Sequence, residues 1–176
     1  MPDSNKFHYV VATGIIIKDR KYLITKRADW EKAFPGKWTV PGGKLDINDY
    51  VNKPKDTKEH WYNILEVLLK REIKEETSLE IENIKYLTSM TFIRPDNIPV
   101  LVISLYADYL SGDVNLSNDM TSHAWVSLEE AKDYDLIEGI YEELEMLENL
   151  FKGTKQNEWT SNSKSESEKL NEDLKL

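Results

Sequence analysis

One predicted helix constrains this chain more than any other segment, because its acidic side chains continue its apolar stripe. The apolar stripe consists of Trp61, Leu65, Leu68 and Leu69. At about 100° per residue, Glu72 and Glu76 fall within about 20° of Leu65 on the helical projection. Lys70 and Lys74 fall on the opposite side of the helix. The helix therefore turns carboxylates toward the protein body and lysines toward water.

The same helix carries three glutamates at a spacing that suits a bound cation. Glu72, Glu75 and Glu76 are spaced i, i+3, i+4 and share one helix face. Such a face is commonly solvated and paired with surface cations, but this one points inward. Carboxylates in that position repel one another and lose hydration, and a bound cation removes both penalties. Because the donors are oxygens, the pattern predicts a site for Mg²⁺, or for Mn²⁺ in its place.

The sequence around this helix predicts strands and short turns. The predicted strands cover residues 9–17, 22–25, 38–40, 84–93, 98–110 and 123–126. The first two form a hairpin, and the β-branched and aromatic content of 84–93 and 98–110 predicts a central, well-buried pair. With a second, mainly helical region at 128–151, the order predicts an α/β fold with a mixed sheet between helices.

Local composition sets the expected start of the acidic helix and the end of the globular region. Asp56 and Glu59 have the spacing of a capping box, which predicts a helix from there to about Thr77. Residues 153–176 contain too few apolar side chains to offset the cost of ordering the chain. We therefore expect a globular domain at residues 1–152, followed by a disordered tail.

Composition excludes several classes of function. The net charge of −9 argues against a nucleic-acid polymer as partner, because binding to its backbone needs clustered Lys and Arg. The absence of cysteine excludes thiolate metal sites and cysteine nucleophiles. The sequence contains neither the apolar region of a signal peptide nor an apolar run long enough to span a membrane. We therefore expect a cytoplasmic protein with no membrane partner.

Two separated segments carry a resemblance to a known family. Gly43, followed later by residues 71–79, resembles the Nudix box, G-x5-E-x7-R-E-U-x-E-E-x-G-U, in which U is apolar. The segments 14–17, 38–44 and 125–130 are also similar to sequences of that MutT-like family of hydrolases. The resemblance covers roughly residues 8–150. It implies a Nudix-type α/β/α sandwich with a mixed β-sheet between helices.

The resemblance also implies roles for the residues of the box. Glu72, Glu75 and Glu76 would hold the metal ion, and the carbonyl of Gly42 would be a further ligand. Arg71 would orient the glutamates through ion pairs. The implied reaction is Mg²⁺-dependent hydrolysis of a diphosphate bond in a nucleoside diphosphate linked to another moiety, such as a dNTP, an NTP or ADP-ribose.

Three departures from the box affect these expectations. Arg71 follows Gly43 by 28 positions where the motif has 14, so about 14 residues are inserted, and this insertion is a candidate lid or substrate-selective loop. Counted back from Arg71, the first glutamate of the motif falls at Asn63, where no carboxylate replaces it. Ser78 stands where a glycine closes the helix in the motif.

Residues outside the box complete the predicted site. The candidates for the general base that activates water are Glu72, Glu75 and Asp119. Arg27 and Lys44 are candidates for binding the substrate phosphates, and Arg27 is preferred. Trp38 is a candidate for stacking on a base, although an aromatic residue beside a short strand is commonly part of the core. The expected partner is a small nucleotide-like substrate, with a homodimer left open.

Two other functions remain for comparison. A Nudix-fold module that senses a nucleotide without hydrolysing it is favoured by the departures at Asn63 and Ser78 and opposed by the three retained acids. Isomerisation of an isoprenoid diphosphate lacks support, because we expect that chemistry to use cysteine and histidine in the site. Metal-dependent turnover separates the enzyme from the sensor.

Overall fold

The computed structural model describes residues 6–154 and 158–160. Most of the tail predicted at 153–176 therefore lies outside the described residues. Within the described part of the chain, no helix is long and apolar enough to cross a membrane.

The described residues form a mixed β-sheet and two helices. The strands are β1 (Tyr9–Lys18), β2 (Lys21–Arg27), β3 (Trp38–Thr39), β4 (Gly42–Lys44), β5 (Glu80–Ile93), β6 (Pro99–Ser111) and β7 (Met120–Val126). The helices are α1 (Ile64–Thr77) and α2 (Ile140–Phe151), with short 3-10 helices at Ile47–Asp49 and Glu130–Asp133. The strand order is β3-β2-β1-β6-β5, while β4 pairs with β1 and β7 pairs with β2. Since β1 and β6 are parallel and the other pairs antiparallel, the predicted mixed sheet is confirmed.

Alternate residues of β1 contribute to two cores on opposite faces of the sheet. Ala12 and Ile16 belong to a core that includes Leu69 of α1. Ile15 belongs to the other core, which includes Leu144 of α2. Because successive side chains of a strand point to opposite faces, α1 and α2 cover different faces of the sheet. This arrangement is the α/β/α sandwich predicted from the sequence.

Of the two strands predicted to be central in the sheet, only one is central. β6 lies between β1 and β5, whereas β5 forms an edge of the sheet. Tyr86 and Ile93 of β5 are exposed, and three register irregularities interrupt its pairing with β6. The prediction of two buried strands was wrong because β-branched and aromatic content reports on packing against a pleated surface, not on position in the sheet.

The predicted start of α1 was also wrong. The helix begins at Ile64 instead of near Asp56, and its N-cap residue Asn63 has a left-handed backbone with φ 55° and no side-chain cap. The side chain of Asp56 instead accepts a hydrogen bond from the Tyr62 amide at 2.9 Å. The Asp56 amide donates to the carbonyl of His60 at 3.0 Å. A side chain that satisfies nearby amides in a turn resembles a helix cap in sequence.

The other helix boundaries follow local backbone geometry. α1 ends at Thr77 as predicted, and Ser78 adopts the left-handed conformation expected of glycine, with φ 63° and its amide donating to the Lys74 carbonyl. The predicted helical region at 128–151 is divided, because α2 begins only after Gly139, which has φ 93°. Ser78 therefore closes the helix without the glycine of the motif.

Candidate active site

A cavity of about 950 Å³ lies beside the acidic end of α1. Its walls come from β1, β4, β5 and β6, the start of α2, and the loops after β2 and before β7. Its size is in the upper part of the range of about 300–1,000 Å³ that is usual for small-molecule sites. The cavity is therefore large enough for a nucleotide.

Glu76 is held at the cavity by the backbone of β4. The amide of Gly42 donates a hydrogen bond to Glu76 Oε2 at 3.0 Å. Burial is the main cause that raises the pKa of Glu76 to about 8; the negative charges of Glu72 and Asp119 act in the same direction, while the Gly42 hydrogen bond and the charge of Arg27 act against it. An ionised carboxyl group in this position has lost hydration, and a nearby cation would stabilise its negative charge.

Glu72 lies directly over the next glycine. A Cβ atom built on Gly43 would lie 2.1 Å from Cδ of Glu72. The Glu72 side chain is only 14% exposed and forms an ion pair with Arg71, in which Nη2 of Arg71 lies 2.9 Å from Oε1 of Glu72. Burial raises its pKa, and the charge of Arg71 partly offsets this effect. Gly43 thus leaves the space in which the carboxyl group of Glu72 sits.

Arg71 pairs with three acidic side chains of this region. Its Nε donates to Asp49 Oδ1 at 2.7 Å and its Nη1 donates to Glu75 Oε2 at 2.9 Å. Its third partner is Glu72. Glu75 differs from the other two glutamates because its side chain is 59% exposed and does not line the cavity. The structure therefore brings Glu72 and Glu76 to the cavity and leaves Glu75 at its outer side.

Asp49 is a site residue that the sequence analysis missed. It lies six positions after Gly43, the position at which the Nudix box has its first glutamate, and it pairs with Arg71. Counted back from Arg71 across the insertion, the position of that glutamate is Asn63. Counting forward from Gly43 would have found Asp49. The inserted residues therefore lie between Asp49 and Arg71, and the acidic partner of Arg71 is retained.

Replacing Asp49 by asparagine should lower the free energy of unfolding by about 1–2 kcal/mol at pH 7, since a charge-assisted hydrogen bond to Arg71 is lost. Burial alone would raise the pKa of Asp49, but the Asp46 amide and Arg71 more than offset it, so its pKa lies below the ordinary value. This stabilisation is present above pH 4 and is lost as the pH falls through the folded-state pKa. Urea unfolding of both proteins at a series of pH values from 7 down to 2 measures the effect; a difference that stays constant over that range would contradict the ionised pair.

The carboxyl oxygens of Glu72 and Glu76 are donors of the kind that a divalent cation takes. Within residues 6–154 and 158–160, no three His, Asp or Glu side chains are grouped closely enough to hold an ion by themselves. Mg²⁺ commonly binds through one or two carboxylates together with waters and substrate phosphates. Two partly buried carboxyl groups at the cavity, Glu76 beside Gly42 and Glu72 beside Gly43, satisfy that requirement.

The other predicted residues are divided between the cavity and the core. Arg27, Lys44 and Asp119 line the cavity. The Nε of Arg27 donates to the Ala33 carbonyl at 2.7 Å. Trp38 instead packs edge-on against Tyr134, with ring centroids 4.7 Å apart, in the core under α2. The structure does not bring Trp38 to the cavity.

The insertion does not cover the cavity in the described structure. None of residues 47–70 is among the cavity-lining residues. Trp61 packs against Tyr50 with ring centroids 5.3 Å apart, and its Nε1 donates to the Lys53 carbonyl at 3.0 Å. The segment therefore packs on itself, and the prediction of a lid receives no support from these contacts.

Comparisons with known proteins agree with this geometry. The sequence model of the NUDIX domain family matches residues 8–147. The chain is similar to the nucleoside triphosphatase NudI of Escherichia coli O81 (strain ED1a), with 29% identity over 137 residues that cover 72% of this chain and 86% of the relative.

Solved structures with a similar fold include the MutT protein of Methanosarcina mazei Go1. That structure has 22% identity and a TM-score of 0.63, and the match covers 82% of this chain and 96% of the other. The NUDIX domain of Shewanella oneidensis NrtR complexed with ADP ribose has 17% identity and a TM-score of 0.60, covering 86% and 92% of the two chains. At these identities the structural likeness concerns the fold.

Proposed function

This chain belongs to the NUDIX domain family and is a hydrolase of nucleoside diphosphate-linked substrates, and we propose that it carries out this hydrolysis with Mg²⁺ held by Glu72 and Glu76. The observation that carries the proposal is the burial of Glu76 beside the Gly42 amide. Burial disfavours the ionised form of this carboxyl group and raises its pKa to about 8, and a bound cation would favour the ionised form again.

Different residues bind the metal ion, bind the substrate phosphates and position the metal ligands. Glu72 and Glu76 present carboxylate oxygens to the ion, while Arg71 is a positioning residue that fixes Glu72 from the side. Arg27 and Lys44 supply positive charge for the substrate phosphates at the same cavity. When bound, a divalent ion lowers the pKa of a coordinated water and neutralises charge on the phosphate oxygens.

The general base is best assigned to Asp119. Glu72 and Asp119 line the cavity and Glu75 does not. If Glu72 is committed to the ion, Asp119 is the remaining candidate that can accept a proton from water inside the cavity. The charge of Asp119 is also one of the causes that raise the pKa of Glu76.

The relatives suggest which substrates to test first. NudI is named a nucleoside triphosphatase, which favours (d)NTPs, and the NrtR domain binds ADP ribose, which is the second choice. Asp49 removes the main argument for a sensor without activity, because the acidic partner of Arg71 is present.

A substrate panel tests the proposed function. The wild-type protein is incubated with each NTP, each dNTP and ADP ribose, in Mg²⁺ or in EDTA, and the released pyrophosphate, phosphate and nucleoside monophosphate are measured. We expect hydrolysis of at least one member at a diphosphate bond, and we expect EDTA to abolish it. Binding of a nucleotide without any Mg²⁺-dependent product would overturn the enzyme in favour of a sensor.

A further inference from the structure

Besides Glu72, Glu76 and Asp119, the cavity is lined by a carboxyl group to which the proposed hydrolysis assigns no role. Glu143 belongs to α2, and the residue is only 5% exposed. Burial, against the lowering effect of the Ser104 hydrogen bond and with a smaller contribution from the charge of Glu142, raises its pKa to about 7. Burying an ionisable group costs free energy unless partners satisfy it. The position of Glu143 therefore needs an explanation.

The hydrogen bonds of Glu143 leave half of its carboxyl group open. The hydroxyl of Ser104 donates to Glu143 Oε1 at 3.0 Å, and the hydroxyl of Thr13 donates to Ser104 Oγ at 3.5 Å. Within the part of the chain that the structure describes, Oε2 accepts no hydrogen bond, and it is not one of the atoms sealed from the cavity. The Thr13 hydroxyl thus donates to Ser104, and the Ser104 hydroxyl donates to the carboxyl group of Glu143. A donor at the carboxyl oxygen favours the charged form of the group.

The cavity that Glu143 lines also has apolar walls. Its apolar residues include Val40, Val102, Ile137 and Ile140, and Ile140 lies one helical turn before Glu143 in α2. A cavity with apolar walls and one directional acceptor selects a ligand that has a matching donor. A ligand without that donor would leave the buried carboxylate unpaired, which is the strongest basis for discrimination between similar molecules.

We propose that Glu143 recognises the N–H donor edge of the substrate's nucleobase, so that the enzyme prefers a base with two adjacent donors, as in guanine, to thymine or uracil. This inference rests on the proposed function, because it assigns the base end of the same cavity. Guanine presents a ring N–H beside an amino group, and a carboxylate can accept from both. Uracil and thymine present one N–H between two carbonyl oxygens, which repel a carboxylate.

Equilibrium binding of dGMP and dUMP by titration calorimetry tests the inference without requiring hydrolysis. We expect the wild-type protein to bind dGMP at least 10-fold more tightly than dUMP. Glu143→Gln should reduce that ratio to about 3-fold or less, because the amide replaces one acceptor oxygen with a donor. Glu145→Gln is the matched control, since it removes a carboxylate from the same helix outside the cavity and its charge is not among the causes of the raised pKa of Glu143, and it should keep the wild-type ratio.

A second variant separates recognition from a structural role. Ser104→Ala removes the hydroxyl that holds Glu143 and leaves the carboxylate in the cavity. Recognition by Glu143 predicts that Ser104→Ala keeps a preference for dGMP, whereas a purely structural tie between α2 and β6 predicts the same loss as in Glu143→Gln. Thermal unfolding at pH 8 checks that each variant is folded, and Glu143→Gln should unfold at a higher temperature than wild type because its side chain does not ionise.

The outcomes distinguish this inference from the proposed function. A preference for dGMP that only Glu143→Gln removes supports the inference even if no nucleotide is hydrolysed. Mg²⁺-dependent hydrolysis of nucleotides with equal binding of dGMP and dUMP would keep the proposed function and overturn the inference. A preference for dUMP in the wild-type protein would overturn it as well.

Discussion

Replacing Glu76 by glutamine should lower kcat by about 10²–10³-fold, because it removes a charged oxygen ligand from the ion that stabilises the transition state. Glutamine keeps the size of the side chain and can still accept the hydrogen bond from the Gly42 amide. The expected loss therefore arises from the missing charge and not from a rearranged site. Steady-state hydrolysis of the best substrate across a Mg²⁺ titration measures it.

The same substitution should stabilise the metal-free protein at high pH. Burial raises the pKa of Glu76 to about 8, above its ordinary value of 4.5, so the folded state binds a proton that the unfolded state has lost between these pH values. Stability from this group is therefore present at low pH and is lost as the pH rises through the folded-state pKa. At pH 9, Glu76→Gln should have a free energy of unfolding about 2–4 kcal/mol higher than wild type in EDTA.

Glu75→Gln is the matched variant for both measurements, because Glu75 is the next residue of the helix but its side chain is 59% exposed. It should show no gain of stability at pH 9. Its activity tests the prediction that Glu75 is a metal ligand. If Glu76→Gln is as active as wild type, or gains no stability between pH 5 and pH 9, the buried metal ligand proposed here is wrong.

Replacing Gly43 by alanine should lower kcat/KM by about 10²-fold or more, since catalytic groups displaced by about 1 Å cost that much. The new Cβ would lie 2.1 Å from Cδ of Glu72, so the carboxyl group must move out of its place at the cavity. The far end of a side chain can rotate away, and the free energy of unfolding should change by only about 1 kcal/mol. Kinetics and urea unfolding of the same sample measure both effects.

Gly42→Ala provides the contrast, because the clash there is with backbone. A Cβ on Gly42 would lie 2.3 Å from the Ala12 carbonyl oxygen and 2.6 Å from Thr13 Cα. The backbone of β1 cannot rotate away, so this variant should lose about 3 kcal/mol or more of folding free energy. Equal stability losses in the two variants would contradict the distinct roles assigned to the two glycines.

The part of the site that was predictable from sequence is the part governed by helix periodicity. The phase of α1 placed Glu72 and Glu76 with the apolar residues, and both line the cavity. Periodicity could not place Glu75, whose position depends on its ion pair with Arg71. It also could not reveal Glu143, because a glutamate in an otherwise amphipathic helix looks like a surface residue until the packing of the helix is known.

The errors in the prediction of the fold also arise where structure depends on more than local sequence. The boundaries of strands and turns follow local residue chemistry, and the hairpin of β1 and β2 was found from it. The start of α1 and the edge position of β5 depend on contacts between distant residues. A local pattern of residues does not contain that information.

The Asp49–Arg71 ion pair closes a loop of 21 intervening residues, at positions 50–70, where the motif has seven. The entropy lost on closing a loop grows only with the logarithm of its length, so tripling the length costs about 1 kcal/mol. The contact between Tyr50 and Trp61 shortens the effective loop and recovers part of that cost. The segment between Asp49 and Arg71 can therefore differ in length at little cost. The physical constraint on it is that Asp49 and Arg71 must still meet in their ion pair. This junction is accordingly a site at which related chains could gain or lose whole segments without rebuilding the catalytic centre.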